Sequence, residues 1–154
     1  MVAVEAAVVL SVVVFIMLGT WEIGRMCQMS RALRDAAREG ARVAAGGTNG
    51  GSSVTVAVVQ QTVQNYLTDV GYPTAAVTGA QITVTNLSTH TWTDPCNAIQ
   101  SDPFSVTVLI PSGTAFNSLG WAASSITGIN QLSATVEWQS ANDAQVVVGT
   151  TLPY

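Results

Sequence analysis

Residues 1–42 read MVAVEAAVVLSVVVFIMLGTWEIGRMCQMSRALRDAAREGAR, and they decide how the rest of the chain must be arranged. From Met1 to Leu18 the only polar side chains are Glu5 and Ser11. At about 1.5 Å per helical residue, this run approaches the length that crosses a bilayer core. An ionisable group at that depth costs a few kcal/mol unless it is neutralised or paired, which makes Glu5 a functional residue in need of a partner. The apolar run passes without a proline into an arginine-bearing pattern of helical spacing, so one long helix is expected over residues 1–45. Gly19 and Gly24 interrupt it, each at about 1 kcal/mol relative to alanine. They mark either kinks or places where neighbouring helices approach closely.

Charge is segregated along the chain. All five basic residues are arginines between Arg25 and Arg42, and lysine is absent. Residues 43–154 carry Asp69, Asp94, Asp102, Glu137 and Asp143 with no basic residue among them. Such a surface has no footprint for nucleic acid, whose binding draws on clustered outward-facing lysine and arginine. Within the helix the charges interleave: Arg31 precedes Asp35 by four residues, Asp35 precedes Arg38 by three, and Glu39 precedes Arg42 by three. These residues form either a solvated helix face or pairs running between subunits. Ala32, Leu33, Ala36, Ala37, Gly40, Ala41, Ala44 and Ala45 leave the other faces small and smooth, which suits close helix packing.

The run Gly46-Gly47-Thr48-Asn49-Gly50-Gly51-Ser52-Ser53 ends the helix and is expected to be a flexible linker. Val54 to Val70 then has apolar residues at 56, 59, 63, 66, 67 and 70, the spacing of an amphipathic helix, which stops at Gly71-Tyr72-Pro73. Residues 81–85, 104–110 and 132–138 alternate with period two and are rich in β-branched residues, so they read as antiparallel strands. Residues 117–130 are expected to form a short helix or an exposed loop. The fold class is therefore α+β. A long N-terminal α-helical stalk (1–45) and a Gly-rich linker (46–53) precede a small head (54–154), in which an amphipathic helix packs on an antiparallel β-sheet.

The head holds little that resembles catalytic chemistry. His90 is the sole histidine, and no G-x-S-x-G turn accompanies it. One histidine and two distant cysteines offer no paired metal-ligand spacing. Asp94 and Asp102 flank a loop that lacks the acid density and glycine of an EF-hand. The glycines at 46–51 follow a helix and have no lysine, so they do not form a phosphate loop. No cofactor, metal or enzymatic activity is expected. Cys27 and Cys96 leave three states open: an intramolecular bridge, a bridge between subunits, or free thiols. Asn86-Leu87-Ser88 matches a glycosylation sequon, and Trp92 and Trp121 are candidates for adhesion or fibre packing as well as for ordinary core positions.

Glu5 within an apolar helix, Glu22-Ile23-Gly24-Arg25, and Ala36-Ala37-Arg38-Glu39-Gly40-Ala41-Arg42 through Ala44 together resemble type IV pilin-like proteins of the TadE-like family. Ala6 and Ile23 stand where that family usually has aromatic residues. The resemblance implies a mature chain numbered from Met1 after a prepilin peptidase has removed a leader and methylated the new amine. It implies that Glu5 meets the N-terminal ammonium at Met1 of a neighbouring subunit. The partners it implies are copies of the chain itself, an inner-membrane platform and a cytoplasmic assembly ATPase. The chain would lie in the inner membrane before assembly and in an extracellular filament after it. The alternatives are a minor pseudopilin of the assembly machine, a monomeric membrane-anchored binding module, and an exported enzyme built on the His90 loop.

Overall fold

A computed structural model describes residues 2–49, 52–111 and 131–142. Met1, Gly50, Gly51, Trp121, Asp143 and the 117–130 segment lie outside the described residues. Helix α1 spans Val2–Ala45 as one unbroken α-helix of 44 residues, about 66 Å long at 1.5 Å per residue. It continues through Gly19 and Gly24 without a change of helix type.

Two short strands, β1 (Thr48–Asn49) and β2 (Ser52–Ser53), follow α1 and pair antiparallel, Thr48 opposite Ser53 and Asn49 opposite Ser52. The linker expected to be flexible is thus partly a small hairpin, and the Val54 N–H donates to the Gly47 carbonyl to close it. Helix α2 (Val56–Asp69) buries Val59, Val63 and Leu67, the i, i+4, i+8 row of its amphipathic pattern. Val70, expected on the same face, is exposed just past the helix end. Gly71, at φ +92°, closes that end. Its N–H donates to the Thr68 carbonyl and the Tyr72 N–H to the Leu67 carbonyl, the paired bonds of a Schellman turn that favour a residue without Cβ. A short helix absent from the sequence expectations, α3 (Thr74–Thr78), then buries Ala76 and Val77.

Strands β3 (Gln81–Asn86), β4 (Pro103–Pro111) and β5 (Gln131–Gln139) form an antiparallel sheet with β4 in the centre. The register places apolar residues in ranks across the inner face: Val84, Val106 and Val136; Ile82, Val108 and Ala134. The outer face carries the alternate residues, including the rank Thr83, Thr107 and Thr135, with the last two hydroxyls 3.0 Å apart. A single turn of 3₁₀ helix, Pro95–Asn97, lies in the connection from β3 to β4.

The core between helices and sheet includes Leu33, Ala36, Ala37, Ala41, Ala44 and Ala45 of α1 alongside Val59, Val63, Leu67, Phe104, Val106 and Ile110. The last third of α1 is therefore a layer of the head as well as a continuation of the stalk. Its alanines and Gly40 give close approach to α2 and the sheet within one chain. A Cβ added at Gly40 would stand 2.6 Å from a Val63 methyl, in a place where Val63 is fully buried.

Candidate assembly surface

The N-terminal part of α1 stands outside this core. Between Val4 and Ile23, thirteen large apolar side chains are exposed, from Val4 at 71% to Val13 at 45%. Burying them would contribute on the order of 20 kcal/mol at about 1.5 kcal/mol or more each, so this segment belongs in lipid or protein, not in water. The helix is long and apolar enough to cross a membrane, with a mean hydropathy of 2.2 over its most apolar 18 residues. The two hydroxyls of residues 4–23 are satisfied internally: Ser11 Oγ donates to the Val8 carbonyl and Thr20 Oγ1 to the Ile16 carbonyl, both at 2.7 Å.

Glu5 has no partner among the described residues of its own chain, and its carboxylate sits one turn from the helix start, where the helix dipole favours negative charge. Gly19 and Gly24 have nothing within 4 Å of where a side chain would begin. Nothing among the described residues of a single chain requires glycine at either position, in contrast to Gly40.

Beyond Thr20 the helix becomes charged. Arg42 meets Glu39 through two bonds, Nη2 to Oε1 at 2.6 Å and Nε to Oε2 at 2.9 Å, and Arg38 approaches Asp35 at 3.4 Å. Arg31, expected to share Asp35, takes no ion-pair partner among the described residues, and neither do Arg25 and Arg34. Arg25 instead lines a groove of about 290 Å³ where the stalk leaves the head, with Gln28, Met29, Val70, Tyr72 and Pro73. Tyr72 fixes this junction: its hydroxyl donates to the Met29 carbonyl at 2.9 Å, and burial pushes the phenol up to about 12.

Two of the head's acids take structural positions. Asp94 Oδ1 accepts from the Val56 N–H at 3.0 Å, capping α2 from 38 residues away, while the adjacent Thr55 makes no side-chain cap. Asp102, buried, accepts from the Ile99 N–H at 3.0 Å and lies 3.4 Å from His90 Nδ1. Asn142 Nδ2 donates to the Cys96 and Ala98 carbonyls, and the Ala141 N–H donates to the Ala45 carbonyl, so the segment after β5 joins this loop to the end of α1. These long-range caps were not visible in the sequence. The one clue was an α2 start with no acid in its first turn.

Trp92 is half-buried, edge-to-face with Phe104 at 6.2 Å, and its indole nitrogen is shielded. Asn86 of the sequon folds into an Asx turn, accepting from the Ser88 N–H and donating to the His90 carbonyl. Cys27 is exposed on the stalk and Cys96 is half-buried in the loop, both as free thiols. Among the described residues no three His, Cys, Asp or Glu side chains gather as a metal site.

Residues 1–42 match the family model described as TadE-like protein. No curated protein and no solved structure matches the chain. The TadE-like family is pilus-associated and structural, with no enzymatic role. The matched segment ends inside the core-forming third of α1, so what it covers is the apolar helix with Glu5, the Gly24-Arg25 element and the arginine–acid repeat. By that segment, the N-terminal 42 residues of this chain are similar to TadE-like, pilin-like proteins, and the long helix α1 joins them to an α+β head.

Proposed function

We propose that this chain is a structural subunit of an extracellular Tad-type filament. It is held in the inner membrane by α1 and polymerised by transferring that helix from lipid into a bundle of equivalent helices. The observation that carries this reading is the set of thirteen exposed apolar side chains between Val4 and Ile23 with a carboxylate at their start, Glu5, that has no partner among the described residues. A simple anchor has no use for an acid at that depth. A polymer does, because the carboxylate of one copy offsets the desolvation of the N-terminal ammonium of another and sets the register between them. Gly19 and Gly24 fit the same reading as points of close approach between stalks. On this reading the prepilin peptidase, platform and ATPase act on the chain, which contributes geometry and surface.

Glu5→Ala separates this reading from that of a monomeric anchored module. The expected result is wild-type accumulation in the membrane fraction with loss of the chain from sheared surface material. Equal recovery from wild type and variant would favour the simple anchor.

A further inference from the structure

The arginines of α1 beyond Arg25 share one side of the helix. At 3.6 residues per turn, Arg31, Arg34, Arg38 and Arg42 fall within about 80° of arc; Arg31, Arg38 and Arg42 turn away from the buried Leu33, Ala36, Ala37 and Gly40, and Arg34 borders that stripe on the side of Ala41. Arg38 and Arg42 are engaged by Asp35 and Glu39, which leaves Arg31 and Arg34 as exposed cations with no ion-pair partner among the described residues. In the head, Asp94 and Asp102 are engaged in caps, while Asp69, at the end of α2, and Glu137 are exposed and have no ion-pair partner among the described residues. Glu137 alternates with the inward-facing Val136, so it lies on the outer face of β5, across the sheet from α1. The head is thus a two-layer body with unmatched positive charge outside one layer and an unmatched carboxylate outside the other.

We propose that copies of this chain dock back to front through these faces, Arg31 and Arg34 of one copy against Glu137 of the next. A contact between two different faces is heterologous, and repeating it without closure generates an open helix. The axial positions agree with such a contact. Leu132 lies beside Met29 and Leu33, and the Ala141 N–H reaches the Ala45 carbonyl, so β5 runs alongside α1 in the same direction. Glu137 therefore sits roughly 10 Å further along the axis than Arg31 and Arg34, at about 3.4 Å per strand residue and 1.5 Å per helix residue. A copy displaced by that amount toward the head end brings its arginines level with the lower copy's Glu137.

This inference rests on the filament reading, and its test uses the full chain in filament-forming cells. Three strains carry R31E/R34E, E137R, and both chains co-expressed. Each variant alone places like charges at every contact, and the expected filament yield falls about tenfold, the equivalent of about 1.4 kcal/mol per contact. Co-expression restores the wild-type yield, because each altered face then meets an oppositely altered one on the other chain. Rescue in trans also shows that each variant is folded. Single variants that assemble like wild type, or a mixture as poor as either alone, would overturn the docking while wild-type filaments keep the polymer reading intact. If the wild-type chain enters no polymer, both fall together.

Discussion

Gly40 has no side chain because α2 occupies the space that one would need. Gly40→Val should destabilise the head by about 2 kcal/mol, since overpacking against the stiff, fully buried Val63 outweighs any gain in helix propensity. A lowered urea midpoint for the full chain in detergent would show it. Asp94→Ala should cost about 1 kcal/mol by leaving the Val56 N–H without its cap, and Asp94→Asn, which keeps an acceptor, should cost less. The same melts measure both. Tyr72 gives a pH signature. Its phenol titrates near 12 in the folded chain against an ordinary value near 10. The folded state is therefore at full strength below pH 10 and loses stability as pH rises from about 10 to about 12, where the unfolded chain ionises first. Tyr72→Phe should flatten that alkaline slope in unfolding experiments followed across the same range. None of these three roles was legible beforehand. Gly40 and the neighbouring alanines read as a close-packing surface, but a small-residue periodicity does not say which helix packs on it. Here the partner is α2 of the same chain. Asp94 and Tyr72 act across 38 and 43 residues, distances at which local spacing carries no information.

At the scale of elements, α1 does two jobs with two halves. Residues 4–23 touch none of the core, whereas Leu33 to Ala45 form one of its walls. Removing residues 1–23 should therefore leave a soluble head that unfolds cooperatively and runs as a monomer in light scattering. Removing residues 1–45 should leave β4, β5 and α2 without the surface they pack on, giving an insoluble or unfolded product. Strand positions were the most legible part of the sequence. Alternation located β3, β4 and β5 to within a residue at each end, because each strand buries one face and shows the other to solvent. The end of α2 was equally clear from Gly71. Helix α3 and the β1–β2 hairpin were missed because five residues and two pairs of residues are too short to establish a period.

For the whole molecule, the governing feature is the separation of three surfaces along one body: an apolar rod, an arginine face and an acidic head. An isolated copy satisfies none of them fully. The rod needs lipid or other rods, and Glu5, Arg31, Arg34 and Glu137 find no opposite charge among the described residues of their own chain. Sequence alone made the first two needs readable, since hydropathy and the position of a lone acid are local properties. The third became readable only when the fold placed Glu137 outside one layer and the arginines outside the other. On the proposed reading, further copies of the chain supply the partners for all three. The most direct measurement is electron microscopy of sheared surface material from cells expressing the wild-type chain, with mass spectrometry of the recovered fibres. The expected result is filaments in which this chain is the principal protein. Fibres containing it only in trace amounts, or none at all while the chain remains in the membrane fraction, would contradict its role as the repeating subunit.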